Sequence, residues 1–221
     1  MIRLFDILFS LAVIIILSPL LIFVSLLLKF TGEGEVFYLQ ERVGQNNIPF
    51  FVIKFATMKK NSPFTGAGTI TIDNDPRVLP VGRVLRASKI NELPQIINIL
   101  KGDMSIIGPR PLTADAYKYY SDEGVDVITS VRPGLSGIGS VIFRDEESIL
   151  AQTSEPKVFH RKVIGPYKEE LEVWYVKNKS LTKYFLLILL TALAVVFPKN
   201  KIVWKVFSSL PNPGEQISNY L

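Results

Sequence analysis

The 221-residue chain carries 25 Lys and Arg against 20 Asp and Glu, a formal charge of +5, and 48% of its residues are hydrophobic. It has no cysteine and a single histidine, His160, which excludes a disulfide framework, a thiolate metal site and any His-pair metal centre. The positive balance suits nucleic acid, anionic lipid or phosphorylated substrates. The basic residues are dispersed with no nucleic-acid-binding motif, so nucleic acid drops out.

Residues 7–28, "ILFSLAVIIILSPLLIFVSLLL", contain no charge and are long enough to enter a bilayer at about 20 residues per crossing. The run is too long for a usual signal-peptide core, and no small-x-small site follows it. Ser18-Pro19 sits at its centre. Proline removes a backbone donor and crowds the preceding turn, so a kink or break is expected there. A mild kink gives a span with Arg3 and Lys29 on opposite sides; a sharp break gives a re-entrant hairpin with both ends on one face. Basic residues flank both ends, so charge does not choose between them.

Beyond Gly32 and Gly34, residues 36–38 and 50–53 read as strands around a turn at 44–47. Residues 61–80 are polar and carry "TIDNDPRVLP". A helix is predicted over 81–88, and a second through "NELPQIINILKG" that ends near Gly102. "MSIIGPRPL" reads as a short buried strand running into a rigid turn. Helical material is expected over 113–125, a glycine-rich loop at "VRPGLSGIGSV", and a charged helical stretch over 144–179. The apolar run 184–197 is short for a crossing and suits a buried or interfacial helix.

Four polar features stand out. In "KINELPQ", Asn91 reads as a helix N-cap with Glu92 in the first turn and Pro94 tolerated at the start, or as a pair of polar groups poised for chemistry. In Gly108-Pro109-Arg110-Pro111, two prolines stiffen the backbone around one guanidinium, whose planar fork matches phosphate oxygens or a carboxylate. Asp73 and Asp75 in "TIDNDPRV" suit Asx turns better than Mg²⁺, with Arg77 as an added anion contact. Lys54 lies among Phe51, Val52, Ile53 and Phe55, where an ammonium needs solvent or a partner.

In order along the chain, "RLFD" (3–6), "LSPL" (17–20), "FYLQERVG" (37–44), "IKFATM" (53–58), "DPRV" (75–78), "ELPQIINILKGDMSIIGPRP" (92–111) and "RPGLSG" (132–137) resemble the bacterial sugar transferase family, the small monotopic phosphoglycosyl transferases. The resemblance, which runs from Arg3 to about Leu181, implies a mixed α/β monotopic membrane protein: a re-entrant membrane helix broken at Ser18-Pro19 over 1–30 and a cytoplasmic catalytic domain of interfacial amphipathic helices and a small sheet over 31–181. Beyond it, the apolar run marks 182–221 as a segment expected to lie on the bilayer or to join an oligomer contact. The resemblance also implies transfer of a sugar-1-phosphate from a nucleotide diphosphate sugar, usually a UDP-sugar, to undecaprenyl or another polyprenyl phosphate, with Mg²⁺, at the bacterial inner membrane.

The family's catalytic pair is an Asp-Glu dyad before Leu-Pro, the Asp forming a covalent phosphosugar and the Glu ligating Mg²⁺. By the same resemblance Glu92 is the metal ligand, Arg110 a phosphate contact and Lys54 an active-site cation. Asn91 stands in place of the nucleophilic Asp, and Ala56 where the family commonly has Arg. A neutral amide oxygen attacks phosphorus poorly. Four readings stay open: Glu92 attacks, leaving metal to Asp73, Asp75 or Asp103; the polyprenyl phosphate attacks directly; the Asn was introduced to trap substrate; or the protein is an inactive membrane scaffold.

Overall fold

The computed structural model describes residues 1–60, 62, 75–197, 202–218 and 220. It is mixed α/β and mostly helical. The elements in order are α1 (Ile2–Thr31), β1 (Phe37–Val43), β2 (Pro49–Phe55), α2 (Pro80–Ala87), α3 (Gln95–Lys101), β3 (Ser105–Ile107), α4 (Ala114–Tyr117), α5 (Asp122–Thr129), β4 (Gly134–Ser136), α6 (Ile138–Ile142), α7 (Glu146–Ala151), α8 (Pro156–Phe159), α9 (Gly165–Asn178), α10 (Leu181–Val196), α11 (Ile202–Val206) and α12 (Glu215–Ser218). The strands form two separate pairs, β1 with β2 and β3 with β4. The chain divides into two compact units. One holds Met1–Asp6, Arg42–Phe50 and Gly102–Leu221; the other holds Ile7–Glu41 and Phe51–Lys101.

Helix α1 runs for 30 residues with Pro19 inside it, so helical hydrogen bonding continues through Ser18-Pro19, where the sequence left a kink or a break open. The reason is local. Proline has no N–H for the carbonyl four residues back, that of Ile15. The Ser18 hydroxyl donates to that carbonyl instead, at 2.9 Å. By length and composition α1 is able to cross a membrane, and only 11% of its most apolar window is buried.

In the smaller unit, Val24 and Leu28 of α1 pack with Phe55 of β2 and Leu85 of α2, and Leu20, Leu21, Val36, Val81 and Ile90 surround them. "IKFATM" and "DPRV" meet here: Met58 bridges Val78, Lys59 N–H donates to Arg77 O at 2.9 Å, and Leu79 N–H donates to Thr57 O at 3.0 Å. Helix α3 is tied to β2 by one side chain. Asn98, fully buried, accepts from Ile53 N–H at 3.0 Å and donates to Phe51 O at 2.8 Å, imitating a neighbouring strand.

In the larger unit, the expected glycine-rich loop contains a strand. β4 pairs in parallel with β3, Ser105 opposite Gly134 and Ile107 opposite Ser136. Glycine hides the strand from propensity yet permits it, because a Cβ on Gly134 would stand 2.1 Å from Gly108 N. The N-terminal part of α1 is anchored by buried Asp6, whose Oδ1 accepts from Ser105 Oγ (3.0 Å), Ile106 N–H (3.0 Å) and Tyr184 OH (2.8 Å). Helix α10 buries Tyr184, Leu187, Leu190 and Ala194 and leaves Phe185, Leu189, Val195 and Val196 exposed. The segment beyond it packs on α9: Phe207 lies 5.6 Å from the Trp174 ring, and Tyr167 OH donates to Pro211 O at 2.9 Å.

Candidate functional site

Two polar turns, one in each unit, hold the residues singled out by the sequence. The first is "KINELPQ". Lys89 adopts a left-handed backbone (φ 60°), Ile90–Glu92 form a single 3₁₀ turn, and α3 begins at Gln95. Asn91 is therefore inside the turn and not a cap. Its side chain is buried, and its Oδ1 has no hydrogen-bond partner among the described residues. A buried, unmated amide oxygen costs about 1–3 kcal/mol, so it has no structural reason to be there. Glu92, beside it, lies 3.6 Å from Lys54 Nζ on β2, both side chains about one-fifth exposed. That resolves the partner of the lysine among Phe51, Val52, Ile53 and Phe55.

Arg77 turns inward. It is 7% exposed, and its Nε (2.9 Å) and Nη2 (2.6 Å) donate to Asp75 and its Nη1 (2.7 Å) to Ser62 O. Asp75 Oδ1 also accepts from Arg77 N–H at 3.0 Å, the Asx turn anticipated from the sequence. Asp73 lies outside the described residues. Asp103 falls in the larger unit, between α3 and β3. Ala56 is buried, and its N–H donates to Val36 O at 2.9 Å.

Magnesium takes hard oxygen ligands and uses one or two carboxylates together with water and substrate phosphates. Glu92 with the unmated Oδ1 of Asn91 fits that pattern. Among the described residues no cluster of three or more His, Asp or Glu is placed to cage a metal ion by itself.

The second turn is Gly108–Pro111. Gly108 N–H donates to Ser136 O at 2.9 Å, and Gly134 N–H to Pro109 O at 2.8 Å. The turn is thus sewn to "RPGLSG", with Arg110 exposed at its tip. Beneath it lies a residue the sequence reading missed, Glu172 of α9, only 5% exposed. Burial pushes its carboxyl up to about 7, against the opposing pull of the Arg110 N–H, the charges of Lys168 and Arg110, and the Gly139 N–H. Burial also raises the phenols of Tyr117, Tyr120 and Tyr175, with the charge of Glu172 adding to it. Nearby, burial works to raise Glu146, but His160 and Lys168 prevail and hold it down to about 2.

With this geometry in place, comparison with known proteins is decisive. Residues 1–198 match the model of the bacterial sugar transferase family. The chain belongs to that family. Both turns fall inside the matched range. The family member is 38% identical over 160 residues to the exopolysaccharide production protein ExoY of Sinorhizobium fredii, covering 66% of this chain and 70% of that protein. It is 34% identical over 209 residues to the undecaprenyl-phosphate galactose phosphotransferase of Salmonella typhimurium, covering 88% of this chain and 40% of the relative. It is also 34% identical over 185 residues to the UDP-glucose:undecaprenyl-phosphate glucose-1-phosphate transferase of Escherichia coli, covering 81% of this chain. The chain thus spans about two-fifths of the length of these last two, 40% and 38%.

Proposed function

We propose that this chain is a phosphoglycosyl transferase working at a membrane surface. It moves a sugar-1-phosphate from a UDP-sugar to undecaprenyl phosphate or another polyprenyl phosphate, initiating exopolysaccharide assembly. The observation that carries the reading is the "KINELPQ" turn, where an ion-paired carboxylate stands next to a buried carboxamide oxygen with no partner. The names of the relatives support the same chemistry.

In this reading an oxygen of the acceptor phosphate bonds to the β-phosphorus of the donor. The bridging bond to the α-phosphate breaks, and its electron pair leaves with UMP. The products are a polyprenyl diphosphate sugar and UMP. Asn91 is neutral and does not attack, and Glu92 is held by Lys54, so the acceptor is the nucleophile. Glu92 holds Mg²⁺, with Asn91 Oδ1 as a neutral neighbour. When bound, the ion neutralises charge on the diphosphate. Lys54 restrains Glu92 and adds a cation, Arg110 grips a phosphate, and Arg77 braces the "DPRV" turn.

The proposal extends to the membrane. α1 enters the bacterial inner membrane from the cytoplasm and returns, bending near Ser18-Pro19 without losing its helix, so that residues 31–181 remain cytoplasmic. The exposed face of α10 within 182–221 lies on the lipid or against a second copy. The acceptor's phosphate stays at headgroup level, so an enzyme anchored there need not extract it.

Asn91 favours one second reading, a non-catalytic scaffold that keeps the phosphate sites. Purified protein given β-³²P-labelled UDP-sugar, undecaprenyl phosphate and Mg²⁺ separates the two. Lipid-linked label and UMP from the parent, with no labelled protein before acceptor is added, is the expected result. No product from the parent, but product and a labelled protein from Asn91→Asp, would leave the scaffold.

A further inference from the structure

Helix α10 holds the mount of Arg110 with one face and leaves its other face uncovered. Strands β3 and β4 are three residues each, a pair that needs a helix packed against it, and α10 packs on β3. The Gly108–Pro111 turn follows β3 directly and is bonded to β4: Gly108 N–H donates to Ser136 O at 2.9 Å, and Gly134 N–H to Pro109 O at 2.8 Å. α10 grips the two strands at two places. Tyr184 OH shares Asp6 Oδ1 with Ser105 Oγ and Ile106 N–H, at 2.8, 3.0 and 3.0 Å. Further along the helix, Thr191 Oγ1 lies 2.8 Å from Ser136 Oγ and 2.7 Å from Leu187 O. A hydroxyl has one proton to give, and a carbonyl only accepts. Thr191 therefore donates to Leu187 O, and Ser136 donates to Thr191.

The uncovered face is apolar. Phe185, Leu189, Ala192 and Val196 recur at helical spacing opposite Tyr184, Leu187, Leu190 and Ala194, with Leu189 65% and Val196 66% exposed. At its start, the Phe185 ring meets the Phe5 ring edge-on at 5.0 Å. Phe5 belongs to α1, which is long and apolar enough to cross a membrane. The stripe thus continues from the foot of the membrane helix. Protein interfaces carry about one hydrogen bond per 100–200 Å². From Phe185 to Val196 the side chains of this stripe offer none, and acyl chains need none.

We propose that α10 couples the bilayer to the phosphate site: lipid seated on Phe185, Leu189 and Val196 holds the helix against β3 and β4, and Thr191, a positioning residue, passes that seating through Ser136 to the turn that carries Arg110. This rests on the function proposed above, in which Arg110 grips a phosphate of the nucleotide donor. UDP is then held fully only when α10 lies on lipid, where the acceptor is.

The test uses full-length protein in nanodiscs of phosphatidylethanolamine and phosphatidylglycerol, with thermal melting as the check on folding. The chain has no cysteine, so Val196→Cys carries a single bimane probe. Brominated acyl chains are expected to quench it, and Leu189→Glu, which sets a charge in the stripe, is expected to abolish the quenching. Calorimetry reads UDP affinity. Arg110→Ala is expected to weaken UDP about tenfold, the scale of one charge-assisted fork. Thr191→Val, which keeps the shape and loses the hydroxyl, is expected to weaken it about fivefold, the scale of one hydrogen bond. Ser136→Ala removes the same bond from the strand side and is expected to match it. Thr191→Ser is expected to bind within about twofold of the parent, because the hydroxyl is kept. Leu189→Glu is expected to weaken UDP as Thr191→Val does, and the two together no further, because they act on one link. An unquenched probe, or one quenched only by a nitroxide-labelled second copy, overturns the lipid seating. Thr191→Val, Ser136→Ala or Leu189→Glu binding like the parent, or Thr191→Ser failing as Thr191→Val does, overturns the coupling. Each of these leaves the proposed function standing while Arg110→Ala still weakens UDP. Arg110→Ala binding like the parent overturns the phosphate role of Arg110 and the inference with it.

Discussion

The two polar turns are built in opposite ways. In Gly108–Pro111 the backbone is committed to β4, while the Arg110 side chain is exposed. In "KINELPQ" the backbone is an ordinary 3₁₀ turn, and it is the side chains that are held back: Asn91 buried and unmated, Glu92 in a 3.6 Å pair. The first suits recognition, where a rigid mount for a charged fork lowers the cost of binding. The second suits chemistry, where groups left unsatisfied in the fold are available to a ligand.

The comparison can be broken most severely at Glu92. Replacing it with Ala removes the carboxylate proposed to hold Mg²⁺ and its 3.6 Å pairing with Lys54, so lipid-linked product formed from labelled donor is expected to fall by about a thousandfold. A loss under tenfold would mean that the chemistry lies elsewhere. The next effect concerns stability in the other turn. The folded value of Glu172, about 7, lies above the 4.5 of a free glutamate. The proton it retains stabilises the fold fully below about pH 4.5, and this is lost as pH rises through about 7. The loss is on the order of 3 kcal/mol. Urea unfolding at pH 5.5 and pH 8 should show most of it in the parent and little in Glu172→Gln. Glu146 works in the opposite sense: its contribution is present above 4.5 and lost as pH falls toward 2. Stability should therefore be greatest between these limits.

Asn98→Ala removes the clamp under the first turn and leaves an N–H and a C=O of β2 unanswered, a cost of about 2 kcal/mol in urea unfolding. Retained stability would show that α3 holds β2 by apolar packing alone. Least is expected from Ser136→Ala, which breaks the 2.8 Å contact with Thr191 of α10, at about 1 kcal/mol.

Much of this was legible in the sequence, though not evenly. The hairpin, α2, α3 and the apolar α10 follow from periodicity and turn residues. Lys54 announced its need for a partner, and Asp75 its Asx turn. Of the two readings of Asn91 the cap fails, because capping residues look the same whether a helix starts at them or a 3₁₀ turn precedes it; the left-handed backbone of Lys89 decides, and Lys gives no sign of it. β4 looks like a loop in the sequence because its Gly134 serves close approach to Gly108, a contact between residues far apart in the chain. Glu172 was lost among the interleaved charges of 144–179. Its neighbours Leu171, Trp174 and Tyr175, all buried, were the available signal. At Pro19 the sequence leaves a kink or a break open, and the Ser18 hydroxyl, donating to Ile15 O, is what keeps the helix continuous there.

The packing of Phe207 and Pro211 on α9 bears on how the protein is handled in the laboratory. An expression boundary drawn at residue 198, where the family match stops, would strip Trp174 and Tyr167 of their cover and expose rings on the same helix that carries Glu172. A purification tag belongs after the last residues of the chain, joined by a flexible spacer, and a trimmed version is a poor starting point for measuring nucleotide affinity.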